Sequence, residues 1–243
     1  MIPKKIHYCW FGNGEKSEIV EKCLNSWNKL EGFEIIEWNE QNCNLNENQF
    51  IKNAYKEKKW AFVSDYIRLK VLYEHGGIYL DTDVEILKNF NDEFLSHHMF
   101  ISFMFNCNLS TAVIGAEKNS PYISELLNKY SEIHLNNTPN NDLFTNYFLE
   151  KKDFLLNNKF QLIEDKIAIY PKEYFECPTL NKKMGYSIHH FEGSWRKSNN
   201  YVKNCIKRLV KRVLGVYIYQ NIIRYKSIKL SPFYSIYKQH TLK

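Results

Sequence analysis

The feature that most restricts the fold of this chain is an apolar segment that runs into two glycines and then into a short apolar strand. Apolar side chains dominate residues 61–75, and Gly76-Gly77 follows them directly. Glycines at this position end a helix because they adopt backbone conformations that other residues avoid. Residues 78–86 then alternate between apolar and polar side chains, which predicts a continuous strand with one face in the core.

The rest of the chain also alternates between helix and strand patterns, which predicts an α/β fold around a largely parallel sheet. Its 243 residues suffice for one large domain, or for a domain with an appendage. The glycine-rich dinucleotide loop and the phosphate loop do not occur. Further strands are predicted at 5–10, 33–38, 100–105, 111–116, 167–170 and 186–190, and helices at 19–30, 61–75, 121–130 and 141–150.

Charge divides the chain into two parts. Residues 196–243 contain 12 Lys and Arg and no acidic residue, whereas residues 1–195 contain 21 basic and 27 acidic side chains, a net charge of −6. Apolar residues between 202 and 217 recur at helical spacing with basic residues between them, which indicates an amphipathic helix at a membrane interface. We predict a body, 1–195, and a basic helical tail, 196–243, that binds an anionic membrane surface. Docking of the tail on the body is the alternative, and no motif indicates nucleic acid as a partner.

Two carboxylates follow the apolar strand. Asp81 and Asp83 come directly after Ile78–Leu80, and a continuous strand would place them on one face with Tyr79 and Glu85. Carboxylates so close repel one another unless water or a cation screens them. A hard divalent cation that also binds substrate phosphates fits this arrangement. The alternative is a solvated strand end followed by a turn.

Other polar residues lie in apolar surroundings and require partners. Asp65 and Arg68 are three residues apart on one face of the predicted helix 61–75, which favours either an internal ion pair or a place in the same ligand pocket. His189 and His190 are adjacent on a predicted strand, so they point to opposite faces and one of them can serve a given metal. Imidazole completing a carboxylate site suits Mn²⁺, and a hydrogen-bonded core histidine is the alternative.

Taken together, these motifs resemble family 32 glycosyltransferases, the Asp-x-Asp sugar transferases related to yeast α-mannosyltransferases and bacterial capsular polysaccharide transferases. The resemblance extends over 1–195 and leaves the basic tail outside. Its centre is the run from Ala61 through Asp65 and Arg68 to Gly76-Gly77 and Asp81-Thr82-Asp83. The beginning and the end also match, with Ile2-Pro3-Lys4-Lys5-Ile6-His7-x-x-Trp10, Tyr170-Pro171-x-x-Tyr174-Phe175 and His189-His190-x-x-Gly193-Ser194-Trp195.

This resemblance implies a GT-A fold, a nucleotide-sugar-binding α/β sandwich around a mixed, mostly parallel sheet. It implies transfer of a hexose, with retention at the anomeric carbon, from a nucleotide-sugar donor to the hydroxyl of a glycan or lipid-linked acceptor. UDP-hexoses are the favoured donors and GDP-mannose is the next candidate. Mn²⁺ or Mg²⁺ would bridge the diphosphate.

Residue roles also follow from the resemblance. Asp83 is the expected metal ligand, with Asp81 reaching the ribose, the sugar or the metal, and His190 preferred to His189 as the last ligand. The other donor contacts are Asp65 and Arg68 at the sugar, Trp10 near the nucleobase, and Ser194 and Trp195 on the diphosphate. Tyr79 is a further expected contact of the donor. With the cation, Arg68 is expected to neutralise charge on the departing diphosphate.

One departure concerns the acceptor side of the family pattern. Many members carry a Gly-Pro pair there, whereas this chain has Asn140-Asn141-Asp142, so Asn141 and Asp142 are candidate acceptor contacts. Two other classes stay open. A phosphohydrolase of the haloacid dehalogenase type also has Asp-x-Asp after an apolar strand, and an inactive module could bind a sugar nucleotide without turnover.

Composition suggests where such an enzyme would work. No apolar run of 18 residues occurs, the beginning of the chain lacks the pattern of a signal peptide, and the six cysteines show no Cys-x-x-Cys spacing. These features favour a cytoplasmic protein with reduced thiols, held at the inner face of the plasma membrane by the tail. Synthesis of a bacterial capsule or surface polysaccharide is the expected setting.

Overall fold

The computed structural model describes residues 1–132, 139–151, 153–181, 183–192 and 225–242, with a few isolated positions between 210 and 222. Helices and strands are interspersed along this part of the chain, although several strands follow one another directly. The strands are β1 (Lys5–Cys9), β2 (Glu34–Trp38), β3 (Gly77–Leu80), β4 (Val84–Ile86), β5 (Met99–Phe105), β6 (Asn108–Ala116), β7 (Gln161–Ile163), β8 (Ile167–Tyr170) and β9 (Ser187–His189). The α-helices are α1 (Glu18–Ser26), α2 (Gln49–Lys56), α3 (Trp60–His75), α4 (Asp92–Ser96), α5 (Pro121–Glu132), α6 (Asn140–Leu149) and α7 (Tyr234–Thr241).

Seven strands form one mixed sheet in the order β2-β1-β3-β6-β5-β8-β7. β1 pairs in parallel with both β2 and β3, and β5 pairs in parallel with β8. β6 runs antiparallel to β3 and β5, and β7 runs antiparallel to β8. The predicted α/β class is confirmed. β4 and β9 pair antiparallel in a separate, two-stranded sheet.

Apolar side chains cover both faces of the large sheet, which makes the structure a sandwich. Ile78 and Leu80 of β3 belong to one core cluster, which includes residues of α4. Tyr79, which points to the opposite face, belongs to a second cluster that contains much of α3. Successive strand residues alternate between the two faces of the sheet, and both faces are covered. β3 is therefore buried along its whole length and has no solvated face.

The predicted continuous strand 78–86 is wrong. β3 ends at Leu80, residues 81–83 form a turn, and β4 then joins the smaller sheet. The backbone N–H of Val84 donates to the carbonyl of Asp81 across this turn at 3.0 Å. A turn relieves the constraint that would align Asp81, Asp83 and Glu85 on one strand face. As a result, Glu85 leaves the two aspartates and contacts Lys22 at 2.8 Å.

The double glycine is required by packing as well as by helix termination. Gly76 and Gly77 have φ values of 63° and 115°, which residues with a side chain rarely adopt. A Cβ atom on Gly77 would lie 2.6 Å from the carbonyl oxygen of Lys5. The glycines therefore end α3 and also allow β3 to approach β1 closely.

Some short elements were not predicted from the sequence. α4 has five residues and β7 has three, too few to show a period. α2 begins in a polar, Asn-rich segment, where the side chain of Asn48 accepts from the backbone N–H of Ile51 at 3.0 Å. Such a cap stabilises a helix that its own composition only weakly favours.

The far end of the predicted basic tail packs on the body. Phe233 is buried against the α3 core cluster, where Ile236 and Tyr237 also pack. Asn106 Nδ2 donates to Tyr237 Oη at 3.2 Å, and the backbone N–H of Leu156 donates to His240 Nδ1 at 2.9 Å. The predicted amphipathic helix at 202–217 falls mostly outside the described residues. Within the described part of the chain, no helix has both the length and the apolar character needed to cross a membrane.

Candidate active site

The candidate site lies at the edge of the large sheet where β1 and β3 end. Because these two strands are parallel, the residues that follow them meet at the same edge. Asp81 follows β3 and Trp10 follows β1. The turn at 81–83 then carries Asp83 from this edge towards β9.

Arg68 is the central buried group on the α3 side of the site. Its side chain is 6% exposed, and its Nη2 lies 2.8 Å from Asp65 Oδ1 while Nη1 lies 3.2 Å from Asp81 Oδ1. Nη1 also donates to the carbonyl of Thr111 at 2.7 Å, and the guanidinium stacks 4.6 Å from the ring centre of Tyr79. The internal ion pair between Asp65 and Arg68 is therefore confirmed, and the same network reaches Asp81 of the Asp-x-Asp turn. A role of Asp65 and Arg68 in a ligand pocket stays a prediction.

Residues Ser110–Ala112 of β6 support this network from the neighbouring strand. The carbonyl of Thr111 accepts from Arg68, and the carbonyl of Ala112 accepts from the backbone N–H of Asp81 at 2.8 Å. The hydroxyl of Ser110 donates to Glu176 Oε1 at 2.6 Å. Three consecutive residues thus hold three different parts of the site, a role for which their small, uncharged side chains give no sequence signal.

Among the residues that the structure describes, Asp81, Asp83 and His189 form a group that could hold a metal ion. Each offers one ligand atom, and these atoms all lie within 4.8 Å of one another. His189 Nε2 lies 3.3 Å from Asp83 Oδ1, while its Nδ1 faces Glu176 Oε2 at 2.8 Å. Two carboxylates and one imidazole suit a divalent cation such as Mn²⁺.

The structure brings His189, and not the predicted His190, to the two aspartates. β9 pairs with β4 so that Val84 lies opposite His189, and the next residue points to the other side. His190 Nε2 contacts Glu85 Oε2 at 2.8 Å instead. The prediction that the two histidines face opposite ways agrees with this geometry, whereas the choice between them does not.

Burial and charge set the protonation of these groups. Burial raises the pKa of Asp65 to about 6, although Arg68 opposes this shift. Burial, again opposed by Arg68, also raises the pKa of Asp81. Burial disfavours the charged form of Asp83 too, but His189 outweighs it and lowers the pKa of Asp83 to about 2. Burial also disfavours the charged form of His189, but Asp83 and Glu176 outweigh burial and raise the pKa of His189 well above its usual value.

The beginning of α6 borders the site on the predicted acceptor side. Asn141 Oδ1 accepts from the backbone N–H and the hydroxyl of Thr111, at 3.1 and 2.7 Å. Asp142 Oδ1 accepts from Asn108 Nδ2 at 3.2 Å. Asn140, which sequence analysis did not select, donates to Asp65 Oδ1 at 3.2 Å and so joins the Arg68 network.

The remaining predicted donor contacts fall into three groups. Tyr79 is next to the site, because its hydroxyl donates to Asp81 Oδ1 at 3.2 Å. Trp10 lies at the same sheet edge, and Lys16 Nζ lies over its ring, 5.5 Å from the ring centre. Ser194 and Trp195 lie outside the described residues.

Glu176 was missed by sequence analysis, because a single glutamate in a loop carries no pattern.

The comparison with known families decides the class of the protein. Residues 16–101 match the model of the glycosyltransferase sugar-binding region containing the DXD motif. The matched region includes α3, Asp65, Arg68 and the Asp81–Asp83 turn. The chain is a DXD-type glycosyltransferase.

One relative is named as a glycosyltransferase, and one solved structure shares the fold. Over 185 residues this glycosyltransferase is 28% identical to an uncharacterised glycosyltransferase of Acanthamoeba polyphaga mimivirus, which covers 68% of this chain and 72% of that protein. It is 23% identical to the subversion of eukaryotic traffic protein A of Legionella pneumophila, over 55% of this chain but 26% of that protein. The PaToxG glycosyltransferase structure superposes with a TM-score of 0.50 at 19% identity, over 62% of this chain and 69% of that one. The fold is of the predicted GT-A type.

Proposed function

We propose that this glycosyltransferase moves a hexose from a nucleoside diphosphate to an acceptor hydroxyl, with a divalent cation held by Asp81, Asp83 and His189. The observation that supports this proposal is the convergence of these three side chains beside the buried Arg68. The first choice of cation is Mn²⁺, because it accepts both carboxylate and imidazole ligands, and Mg²⁺ is the second. When bound, such an ion neutralises charge on a departing diphosphate.

The protein's own residues would bind and orient the donor. Arg68 is already surrounded by Asp65, Asp81 and the carbonyl of Thr111, so its role is to hold the two carboxylates in position. Lone pairs of Asp65 and Asp81 that Arg68 does not use would accept hydrogen bonds from hydroxyls of the sugar and the ribose. We propose this role in place of the neutralisation of charge on the departing diphosphate that was expected of Arg68.

The proposed reaction is a front-face substitution with retention. The acceptor oxygen forms a bond to the anomeric carbon while the bond from that carbon to the diphosphate oxygen breaks. The proton of the acceptor hydroxyl passes to the leaving phosphate oxygen, so atoms and charge balance without a protein nucleophile. Asp65 and Asp81 are both paired with Arg68, which makes them poor candidates for attack on the anomeric carbon. Covalent sugar trapped on either aspartate would contradict this mechanism.

UDP-hexose is our first candidate donor, GDP-mannose is the second, and a glycan or lipid-linked sugar is the proposed acceptor. The first experiment measures thermal shift and hydrolysis with UDP-glucose, UDP-galactose, the two UDP-N-acetylhexosamines and GDP-mannose, each with and without Mn²⁺. We expect one donor to raise the melting temperature and to be hydrolysed slowly, and only when Mn²⁺ is present. Asp83→Asn should abolish both effects.

Asp92→Asn is the control, because Asp92 is an exposed aspartate at the start of α4 and should respond as wild type. Two outcomes would contradict the transferase activity. Release of phosphate from monoesters would indicate a phosphohydrolase, and binding of a sugar nucleotide without turnover, even with acceptor glycans present, would indicate an inactive binding module.

A second proposal concerns the basic tail, for which we propose attachment to an anionic membrane at the inner face of the plasma membrane. It is supported by the concentration of Lys and Arg between 196 and 243. The fourfold change of Lys207, Arg208, Lys211 and Arg212 to Gln should lower sedimentation with phosphatidylserine vesicles at low salt. Hydrolysis of the donor in solution should stay unchanged. Equal sedimentation of the two proteins would refute the membrane role, and with it the proposed setting in surface polysaccharide synthesis.

A further inference from the structure

Glu176 is a fully buried carboxylate that both joins the candidate site and lies outside every motif identified in the sequence. Its side chain is 0% exposed, and it belongs to the turn that follows β8. The backbone of this residue is also held firmly. Its N–H donates to the carbonyl of Lys172 at 2.8 Å, and its carbonyl accepts from the N–H of His189 at 3.2 Å.

The two oxygens of Glu176 have separate partners. Oε1 accepts from the hydroxyl of Ser110 at 2.6 Å, and Oε2 accepts from Nδ1 of His189 at 2.8 Å. The Ser110 oxygen itself accepts from the backbone N–H of Ala112 at 3.1 Å, so its proton is directed to Glu176. A buried carboxylate with both oxygens engaged in this way is fixed in position and in rotamer.

The bond to Glu176 determines how His189 is oriented. With Nδ1 donating to Glu176, the other ring nitrogen, Nε2, faces Asp83 and belongs to the set of three ligand atoms. Histidines that bind a metal commonly donate their second ring N–H to a carboxylate, which selects the tautomer and strengthens the ligand. The same carboxylate would otherwise be an expensive group to bury.

We propose that Glu176 is a positioning residue that presents Nε2 of His189 to the cation, with Ser110 holding Glu176 in place. This inference rests on the metal site of the proposed function. It adds a carboxylate, from the turn after β8, that binds the ligand His189 and not the cation itself. Because Ser110 of β6 binds Glu176 and Ala112 of β6 accepts from the N–H of Asp81, the same strand supports both Glu176 and the Asp-x-Asp turn.

The test compares Glu176→Gln with wild type by titration calorimetry with Mn²⁺ alone. Gln keeps the size of the side chain but removes the charge, and we expect the dissociation constant to rise by about tenfold to a hundredfold. The ring ¹⁵N shifts of His189 in the presence of Mg²⁺ should show a loss of the form protonated on Nδ1. Ser110→Ala should weaken Mn²⁺ binding in the same direction but by less.

Glu173→Gln is the matched control, since Glu173 lies in the same loop and is paired with Lys172 and Asn158. We expect it to lower the melting temperature of the metal-free protein while leaving Mn²⁺ affinity and the His189 shifts unchanged. Unchanged Mn²⁺ affinity in a folded Glu176→Gln protein would overturn the positioning role alone. Failure of the wild-type protein to bind Mn²⁺ would overturn the proposed metal site and the positioning role with it.

Discussion

Arg68 Nη1 lies 3.2 Å from Asp81 Oδ1, so the first aspartate of the Asp-x-Asp turn is paired with a buried arginine of α3. The same guanidinium lies 2.8 Å from Asp65 through Nη2. The guanidinium of Arg68 thus compensates the charge of two carboxylates at the sheet edge. The site is therefore built as much by α3 as by the turn after β3 that carries the motif.

Removing Arg68 should destabilise the protein strongly. Arg68→Met leaves Asp65 and Asp81 without their buried partner, and we expect the free energy of unfolding at pH 7 to fall by about 3–5 kcal/mol. Urea denaturation followed by circular dichroism measures this change. Lys4→Met, which breaks the exposed pair with Asp92, is the control and should cost less than about 1 kcal/mol. A loss of similar size in both variants would contradict the central role of Arg68.

The two adjacent histidines should differ in metal binding. His189→Gln removes the imidazole that faces Asp83, so we expect the dissociation constant for Mn²⁺ to rise at least tenfold. His190→Gln changes a ring that contacts Glu85 and should leave the constant within about twofold of wild type. Titration calorimetry on both variants decides between them. The reverse result would restore the original choice of His190.

His7 should make stability depend on pH between about 4 and 6.5. This buried ring accepts from Trp38 Nε1 at Nδ1 and donates from Nε2 to the carbonyl of Gly76, and burial lowers its pKa to about 4. The unfolded chain binds a proton near pH 6.5, whereas the folded chain does not bind it until about pH 4. The contribution to stability is therefore complete above pH 6.5 and is lost as the pH falls, by up to about 1.4 kcal/mol per pH unit.

The measurement for His7 is the free energy of unfolding of wild type and His7→Gln at several pH values from 4 to 7.5. We expect the variant to be less stable at pH 7.5 and the difference to shrink as the pH falls. A constant difference over this range would show that His7 is not held neutral by the fold.

A methyl group at Gly77, the second residue of the double glycine, should destabilise the fold. Gly77→Ala places a Cβ atom against the carbonyl oxygen of Lys5 at a positive φ, so we expect a loss of more than about 1 kcal/mol of stability. Gly14→Ala is the control, because no atom lies within 4 Å of its added Cβ. Thermal unfolding of the two variants measures the difference, and equal melting temperatures would argue against the close approach of β1 and β3.

Part of the site is encoded in local sequence. The apolar period of 61–75, the glycine pair and the apolar Ile78–Leu80 run predict a helix, a sharp stop and a buried strand from backbone preferences and burial. The order of residues also puts Asp81 and Asp83 directly after that apolar run. This reasoning predicted α3 and the apolar start of β3, but it did not predict that the strand ends before Asp81.

The rest depended on contacts between segments far apart in the chain. The sequence determined which carboxylates, arginine and histidines were available, and that the helix 61–75 and the strand after it would be buried. Only the tertiary structure decided that the strand ends before Asp81 and that His189 rather than His190 faces the two aspartates. It also decided that Glu176, bound by Ser110, contacts His189. The physical reason is that these choices follow from the register of β4 against β9 and from hydrogen bonds across more than 60 residues, which leave no local period to read.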